Sequence, residues 1–451
     1  MLKSRIMKKI IISGLILLWC FVSYAQMELT LDECKAMALE HNQNIKSAEA
    51  ELSSSEANYK LTKRSVLPQF DLSGSYMYLN DPNEMNVPSF ELPTVDYQPS
   101  GVLYPGGTTQ LAYNNSYQAA LEMSLPIYMG GKLNEYRKIS QYGTQMAKEN
   151  LRYEKSEIAY STDEQYWSLV SLKERKLLVE KSIAFLTDLV KDMQNRYDAE
   201  LITKNEVLKA KVDLNDARLE LIELSDAIEL SKMALNKLIG NDILTDIAVT
   251  DSIVDIPDTL MLIGYIESSV DKRPEINILE NQLEIAKSQL KVVKSDYKPL
   301  LVSFANYKYQ NPNHLGVDEG EFTWIAGLSL SMPVFHWGER QLKVHQQKMD
   351  NLKVELQYES TKEFLVLEIH QAIFKLKESL VKIEMTKESL VQAEENLKLE
   401  KNRLDEGLIT TTDVLNAQMQ WQISFADYID AKANFKISES NYYKTIGELN
   451  Y

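Results

Sequence analysis

Cysteine is almost missing from this chain of 451 residues. Only Cys20 and Cys34 occur, too few for a disulfide scaffold or a four-cysteine zinc site. Glycine and proline are scarce as well, at 16 and 12 residues, roughly half the usual frequency of each. Such sparse punctuation leaves room for long uninterrupted helices. Basic charge is in deficit, with 49 Lys and Arg against 65 Asp and Glu and a formal charge of −16. That balance argues against a nucleic-acid partner, because attraction to phosphate needs a basic surface. Five scattered histidines argue against a metal centre, and no catalytic or cofactor-binding constellation stands out, so the expectation is a protein that is not an enzyme. Beyond the N-terminus no segment approaches the ~18 consecutive apolar residues of a spanning helix. If the rest of the chain crosses a membrane, it must do so as a β-barrel.

The N-terminus reads as a secretory signal over residues 1–25. Lys3, Arg5, Lys8 and Lys9 precede an apolar run from Ile10 to Trp19, and Ser23-Tyr24-Ala25 offers small residues at the two positions a signal peptidase reads. Removing this segment takes away four basic and no acidic residues and moves the formal charge from −16 to −20. A rival reading, lipid attachment at Cys20, meets a bulky Trp19 where a small residue is wanted.

An internal repeat organises the rest of the chain. Asn195 to Ala210 reads NRYDAELITKNEVLKA and Asn402 to Ala417 reads NRLDEGLITTTDVLNA, an offset of 207. The same offset carries Leu125-Pro126 onto Met332-Pro333 and Ile239-Gly240 onto Ile446-Gly447. Upstream the offset is 231, pairing Pro68 with Pro299 and Tyr76-Met77-Tyr78 with Tyr307-Lys308-Tyr309. The excess is an insertion in the first copy, placed at residues 81–112. Its prolines, Pro82, Pro88, Pro93, Pro99 and Pro105, and the pair Gly106-Gly107 predict one long loop. The first repeat spans 26–259 and the second 260–451.

Each copy predicts the same order of elements. An amphipathic helix runs from Leu31 to Val66 and again from Leu260 to Lys298, each stopped by its proline. Strands come next, at 69–80 and 115–127 in the first copy and at 300–310 and 322–333 in the second. Tyr117, Ala119, Leu121, Met123 and Leu125 alternate with Gln118, Glu122 and Ser124; Trp324, Ala326, Leu328, Leu330 and Met332 repeat the phase. The strand from Leu300 is less clean, since Val302 and Phe304 fall on its polar face. A period of two fits a half-buried antiparallel sheet facing water. It also fits a membrane barrel with lipid outside and a wet lumen, and strands of about ten residues with Trp324 and tyrosines near their ends suit that reading. The signal segment, the long loop and the repeat favour the barrel.

After its second strand each copy becomes helical for a long way, from Lys132 to Ala199 and from Glu339 to Glu406, with hairpin tips near 200 and 407. Such a stretch would extend about 100 Å as one helix. The returning helices carry a seam of three-four spacing, Val207, Ala210, Leu214, Ala217, Leu221 and Leu224 in one and Val414, Ala417, Trp421, Ser424, Tyr428 and Ala431 in the other. This is coiled-coil packing and needs no chemistry.

Leu125-Pro126-Ile127-Tyr128-Met129-Gly130-Gly131 and Met332-Pro333-Val334-Phe335-His336-Trp337-Gly338, together with the two tips, resemble the signature of TolC-like outer-membrane efflux proteins. The likeness covers Leu29 to Leu449. It implies an α+β membrane protein in which long antiparallel coiled-coil helices form an α-barrel and four β-strands per chain contribute to a shared trimeric transmembrane β-barrel. It also implies a homotrimer in outer-membrane lipid with a large periplasmic helical portion, joined by a periplasmic adaptor (membrane fusion) protein to an inner-membrane pump. The function so implied is the exit duct of a tripartite efflux system for small molecules. Alternatives are the exit channel of a type I secretion system, or an exported coiled-coil adhesin or structural protein with no pore. Independently of the likeness, four strands cannot close a barrel, since about eight are needed, so several chains must share one.

The resemblance also assigns residues. Pro126, Gly130, Gly131, Pro333 and Gly338 fall at strand-to-helix junctions. The adaptor-gripping tips would be Arg403, Gly407, Leu408 and Thr410 in the second copy and Arg196, Leu201 and Thr203 in the first. There Glu200 replaces the glycine, which puts the turn's positive φ in question. Thr203 to Glu206 and Thr410 to Asp413 both have capping-box spacing, so these residues either cap helices only or cap and also dock. Asp413 aligns with an acidic position at the periplasmic entrance of the family, and a second acid one turn later is Asn416 here. Three copies would bring Asp413 carboxylates together as a cation-attracting constriction. Cys34 reads as a small core residue and His336 as a packing residue at the junction.

Overall fold

The computed structural model describes residues 27–81, 84–93, 99–110, 113–252, 267–314 and 317–449. The expected signal segment, Cys20, Pro82 and the expected helix start at Leu260 lie outside the described residues. In chain order the elements are β1 (Met27–Leu29), α1 (Leu31–His41), α2 (Gln43–Arg64), β2 (Gln69–Tyr78), β3 (Glu84–Val87), β4 (Phe90–Pro93), β5 (Pro99–Tyr104), β6 (Gly107–Gln110) and β7 (Asn115–Met129). They continue as α3 (Lys132–Asp198), α4 (Lys204–Ile239), β8 (Ile247–Val249), α5 (Glu267–Val270), α6 (Pro274–Ser295), β9 (Leu300–Asn311), β10 (Glu321–Ser331), α7 (Glu339–Asp405) and α8 (Thr411–Thr445). The contacts divide the chain into two units that do not respect the repeat boundaries. One comprises the described parts of Met1–Ser53, Met146–Glu280 and Gln357–Tyr451, the other Ser54–Gln145 and Asn281–Leu356.

In the first unit β1 pairs in parallel with β8, Leu29 opposite Val249. Around this ladder Leu29, Cys34, Tyr166, Leu235, Ile239 and Ile247 form a buried core. The Tyr166 hydroxyl, buried with its residue, lies 2.7 Å from an Asp251 carboxylate oxygen and 3.1 Å from the Leu29 carbonyl. Helix α1 opens with Thr30, whose N–H donates to the Glu33 carboxylate at 2.9 Å while its hydroxyl accepts from the Glu33 N–H at 3.3 Å. The single helix expected from Leu31 to Val66 is two. Asn42 adopts extended backbone (φ −62°, ψ 133°), accepts from the Asn44 N–H at 2.8 Å and donates to the Leu238 carbonyl at 3.0 Å. An asparagine can satisfy the freed backbone groups itself, so the break needs neither proline nor glycine. Elsewhere in this unit Arg273, almost fully buried, bridges Glu368 at 2.9 Å and the Thr445 carbonyl at 2.9 Å, tying α7 to the end of α8. A charge buried there without such partners would cost several kcal/mol, on the order of 3–5.

The second unit holds a four-stranded antiparallel sheet in the order β10-β9-β7-β2. Its registers bring like residues together. Tyr76 faces Tyr117 and Leu72 faces Leu121 across β2–β7; Leu121 faces Tyr307 across β7–β9; and Trp324 faces Tyr307 across β9–β10. Because side chains alternate sides, these pairs share one face. It is exposed: Leu72 is 82%, Tyr76 66%, Trp324 76% and Leu330 71% accessible. The opposite face carries Glu122 and Asn306, hydrogen-bonded at 3.2 Å. Phe304 also lies on that face, and its ring covers Gly327, where an added Cβ would come within 3.0 Å of the ring. The aromatic that spoiled the alternation in sequence thus fills the gap left by a glycine on the neighbouring strand.

The structure corrects two further expectations here. The segment expected as one long loop at 81–112 contains two short ladders, β3 with β6 and β4 with β5, strands of four to six residues whose prolines mark ends rather than an absence of pairing. Pro126 is not at the end of its strand. It lies inside β7, where the β7–β9 register shifts between Pro126 and Tyr128, and such a bulge absorbs the missing N–H while pairing continues to Met129.

Candidate functional site

The two helical hairpins of the first unit end in turns built alike. At the first, Ala199, Glu200 and Leu201 N–H groups donate to the carbonyls of Asn195, Tyr197 and Arg196 at 3.1, 2.9 and 2.9 Å. At the second, Glu406, Gly407 and Leu408 donate to Asn402, Leu404 and Arg403 at 3.1, 3.0 and 2.9 Å. Both are left-handed helix stops. Gly407 has φ +75° and Glu200 has φ +60°, so glutamate keeps the positive φ that its presence had put in question, at a cost of order 1 kcal/mol relative to glycine. Each stop leaves a leucine in the open, Leu201 at 74% and Leu408 at 64% exposure. Beneath them Leu186, Met193, Val207, Leu404 and Val414 form a common buried cluster, so the tips sit on a packed base.

The helix starts differ. Thr410 donates its N–H and its hydroxyl to the Asp413 carboxylate at 2.9 and 2.7 Å. These bonds, the hydroxyl's first, and then the charge of Arg403 hold the Asp413 carboxyl below its usual range. Thr203 caps the start of α4 with its backbone alone and makes no side-chain cap bond, so the capping box expected from its spacing does not form. Its would-be partner Glu206 pairs instead with Lys209 at 3.2 Å, and Lys209 reaches on to the Thr412 hydroxyl at 2.9 Å.

The two arginines differ more sharply. Arg196 donates to Asp192 on its own helix at 2.8 Å and crosses to the second hairpin, reaching the Leu404 carbonyl and the Asp405 carboxylate, each at 2.9 Å. Arg403, its counterpart in the repeat, is exposed and pairs with Glu400 one turn back at 3.0 Å. Their matched places in the repeat implied one shared part; the structure makes Arg196 a clasp between hairpins. Asn416 lines a cavity of about 500 Å³ together with Asp213, Asp216 and Glu220 of α4. Burial, then the charge of Asp216, pushes the Asp213 carboxyl up. These three acids are not singled out by the sequence. Their spacing of three and four did place them on one face, and that was the available signal.

At the strand-to-helix junctions of the second unit, Gly130 and Gly131 have φ +64° and +90°. A Cβ on Gly130 would lie 2.7 Å from the Ser295 carbonyl oxygen and 2.9 Å from the Lys298 Cβ. In the second copy Trp337 and Gly338 take the corresponding left-handed conformations, φ +47° and +81°. Trp337 is 88% exposed and so escapes the crowding that requires glycine at 130. Pro333 lies between β10 and α7, and His336 sits 6.5 Å from the Tyr297 ring, edge to face. Among the described residues no helix is long and apolar enough to cross a membrane, and no group of three or more His, Cys, Asp or Glu could hold a metal ion.

A sheet with one exposed apolar face, together with long helical hairpins ending in matched left-handed stops, defines the class of outer-membrane channel proteins. The match to known proteins makes that class specific. The chain belongs to the outer membrane efflux protein family, whose pattern it matches over residues 36–241 and 265–448. It is an outer-membrane protein with a large helical periplasmic portion. In fold it is similar to the CmeC outer membrane channel of Campylobacter jejuni, with a TM-score of 0.77 at 19% identity, over 93% of this chain and 85% of that one. VceC of Vibrio cholerae gives 0.73 at 18%, over 92% and 96%. The open state of the MtrE channel of Neisseria gonorrhoeae gives 0.74 at 15%, over 93% and 89%. Comparison with curated protein sequences gives no match.

Proposed function

We propose that this efflux duct is the outer-membrane component of a tripartite system, passing small molecules from an inner-membrane pump and a periplasmic adaptor to the exterior as a homotrimer. One observation carries the reading: the apolar face of the four-stranded sheet is exposed and, among the described residues, the outer edges of β2 and β10 have no partner strand within the chain. In hydrocarbon such edges leave backbone groups without partners, so the sheet needs further copies to close. Three copies of four strands give twelve, within the range of known barrels.

In this reading Leu201 and Leu408 at the tips, with Thr203, Gly407, Thr410 and Arg403, form the surface the adaptor grips, and Arg196 holds that surface together. Asp413 of each copy faces the periplasmic entrance, with Asp213, Asp216 and Glu220 supplying the negative field that Asn416 does not. The test is functional. Purified protein in a planar bilayer gives discrete conductance steps, and unheated detergent samples run as a trimer. Gly407→Asp with Leu408→Asp abolishes export in cells while trimer yield and bilayer conductance stay unchanged. A monomer without conductance would overturn the duct; full export by the double variant would remove the tips from adaptor docking.

A further inference from the structure

The sheet's registers, taken with the repeat, specify how one copy meets the next. The rule can be checked inside the chain. Moving β2 residues by 231 and β7 residues by 207 turns the pair Gln69 and Ser124 into Leu300 and Ser331, and Tyr76 and Tyr117 into Tyr307 and Trp324. Both derived pairs are partners in β9–β10, so the offsets carry one hairpin's register onto the other without a slip. Within the chain one junction between hairpins exists, β7 with β9, in which Glu122 faces Asn306 and Leu121 faces Tyr307.

Moved by the same offsets, that junction joins β10 to β2. These are the two free edges at opposite ends of the sheet, so the partner is a second copy. We infer that β10 of one copy pairs antiparallel with β2 of the next, with Ser329 opposite Ser75, Leu328 opposite Tyr76, Ala326 opposite Tyr78 and Leu330 opposite Gly74. The inference rests on the barrel reading under Proposed function and adds the residues of its seam.

The chemistry of the seam is self-consistent. Leu328, Ala326, Leu330, Tyr76 and Tyr78 all lie on the exposed apolar face, while Ser329 and Ser75 lie on the face that carries Glu122 and Asn306. A slip of one residue would mix the two faces. A head-to-tail seam also closes into a ring, whereas a two-fold pairing of β10 with β10 would leave each β2 edge open in lipid.

Disulfide trapping tests the register. The chain carrying both Ser75→Cys and Ser329→Cys, oxidised in its native membrane and run heated without reductant, is expected to give covalent dimers and trimers that revert on reduction. Within one chain the two positions are separated by three strand spacings, at least roughly 14 Å before the stagger along the strands is added, too far for a bond. The native Cys34 is buried, and burial, with the charges of Glu33 and Asp251, pushes its thiol up to about 12, so it does not compete. Ser73→Cys with Ser329→Cys, and Met77→Cys with Ser329→Cys, test slips of two residues. In the inferred register their Cα atoms are roughly 8 Å apart, and each pair should cross-link at least roughly tenfold less. Chains with one added cysteine should run as monomers.

Stronger cross-linking by a slipped pair would overturn the register while leaving the trimer standing. So would an intact oligomer with no cross-link from any pair. Cross-linking by the Ser329→Cys chain alone would replace the ring with a two-fold contact. No cross-link and no oligomer would remove the barrel reading itself.

Discussion

Arg196→Met keeps the aliphatic stem and removes every donor, and it should loosen the two hairpin tips from each other. The bond to Asp192 stays within one helix and does not hold the hairpins together, so the loss comes from the bonds to Leu404 and Asp405. Leu404 is buried, at 6% exposure, and a charge-assisted bond to its carbonyl is worth about 1.5 kcal/mol. The Asp405 side chain is 56% exposed, so that ion pair counts as a surface one, about 0.5 kcal/mol. Together they give about 2 kcal/mol, a factor of roughly 30 in the equilibrium between joined and separated tips. Hydrogen–deuterium exchange reads this directly, at the amides of Gly407 and Leu408, which donate into the second stop. Their protection should fall by about that factor in Arg196→Met, against a factor under about 3 in Arg403→Met, whose ion pair with Glu400 stays within one helix. Equal loss in the two variants, or a larger one from Arg403→Met, would refute the assignment of Arg196 as the clasp.

Gly130→Ala should cost about 2–5 kcal/mol, combining a left-handed backbone with the clash against Ser295, while Gly131→Ala, with open space around its Cβ, should cost about 1–2. Thermal unfolding in detergent monitored by circular dichroism ranks them, and equal losses would discard the steric argument. The Asp413 bonds should be pH-dependent in a defined direction. A carboxyl held below its usual range in the folded chain contributes above the ordinary aspartate pKa of ~3.9 and is lost as pH falls through its lowered value. Protection of the Thr410 amide, corrected for intrinsic rate, should therefore hold from neutral pH down to about 4 and fall only below it, and it should lose this dependence in Asp413→Asn. A midpoint above the ordinary range would contradict the hydrogen bonding.

The long helices α3 and α7 were legible because nothing in 132–198 or 339–405 stops a helix, and β2, β7 and β10 because their alternation is clean. What escaped reading shares a physical cause: tertiary partners decided it. Asn42 breaks a helix with its own side chain and the Leu238 carbonyl, which periodicity does not reveal. The paired strands β3 to β6 are too short to alternate visibly among their prolines. Phe304 makes sense only once Gly327 is opposite its ring. At the tips, repeated sequence implied repeated roles, yet Arg196 and Arg403 see different neighbours, and Thr203 lacks the cap that Thr410 has because Glu206 is drawn to Lys209.

The pairing of β1 with β8 sets a schedule for the chain's assembly. Leu29 accepts hydrogen bonds from Thr250, 221 residues further along, and the buried core around β1 includes Tyr166, Leu235 and Ile247. At synthesis rates of about 5–20 residues per second, roughly 10–45 s separate the appearance of β1 from that of its partner. A three-residue strand has no stability of its own over that interval. β1 therefore cannot be fixed when it is made, and the core that closes over Cys34 and Tyr166 forms only after the whole first hairpin has been made.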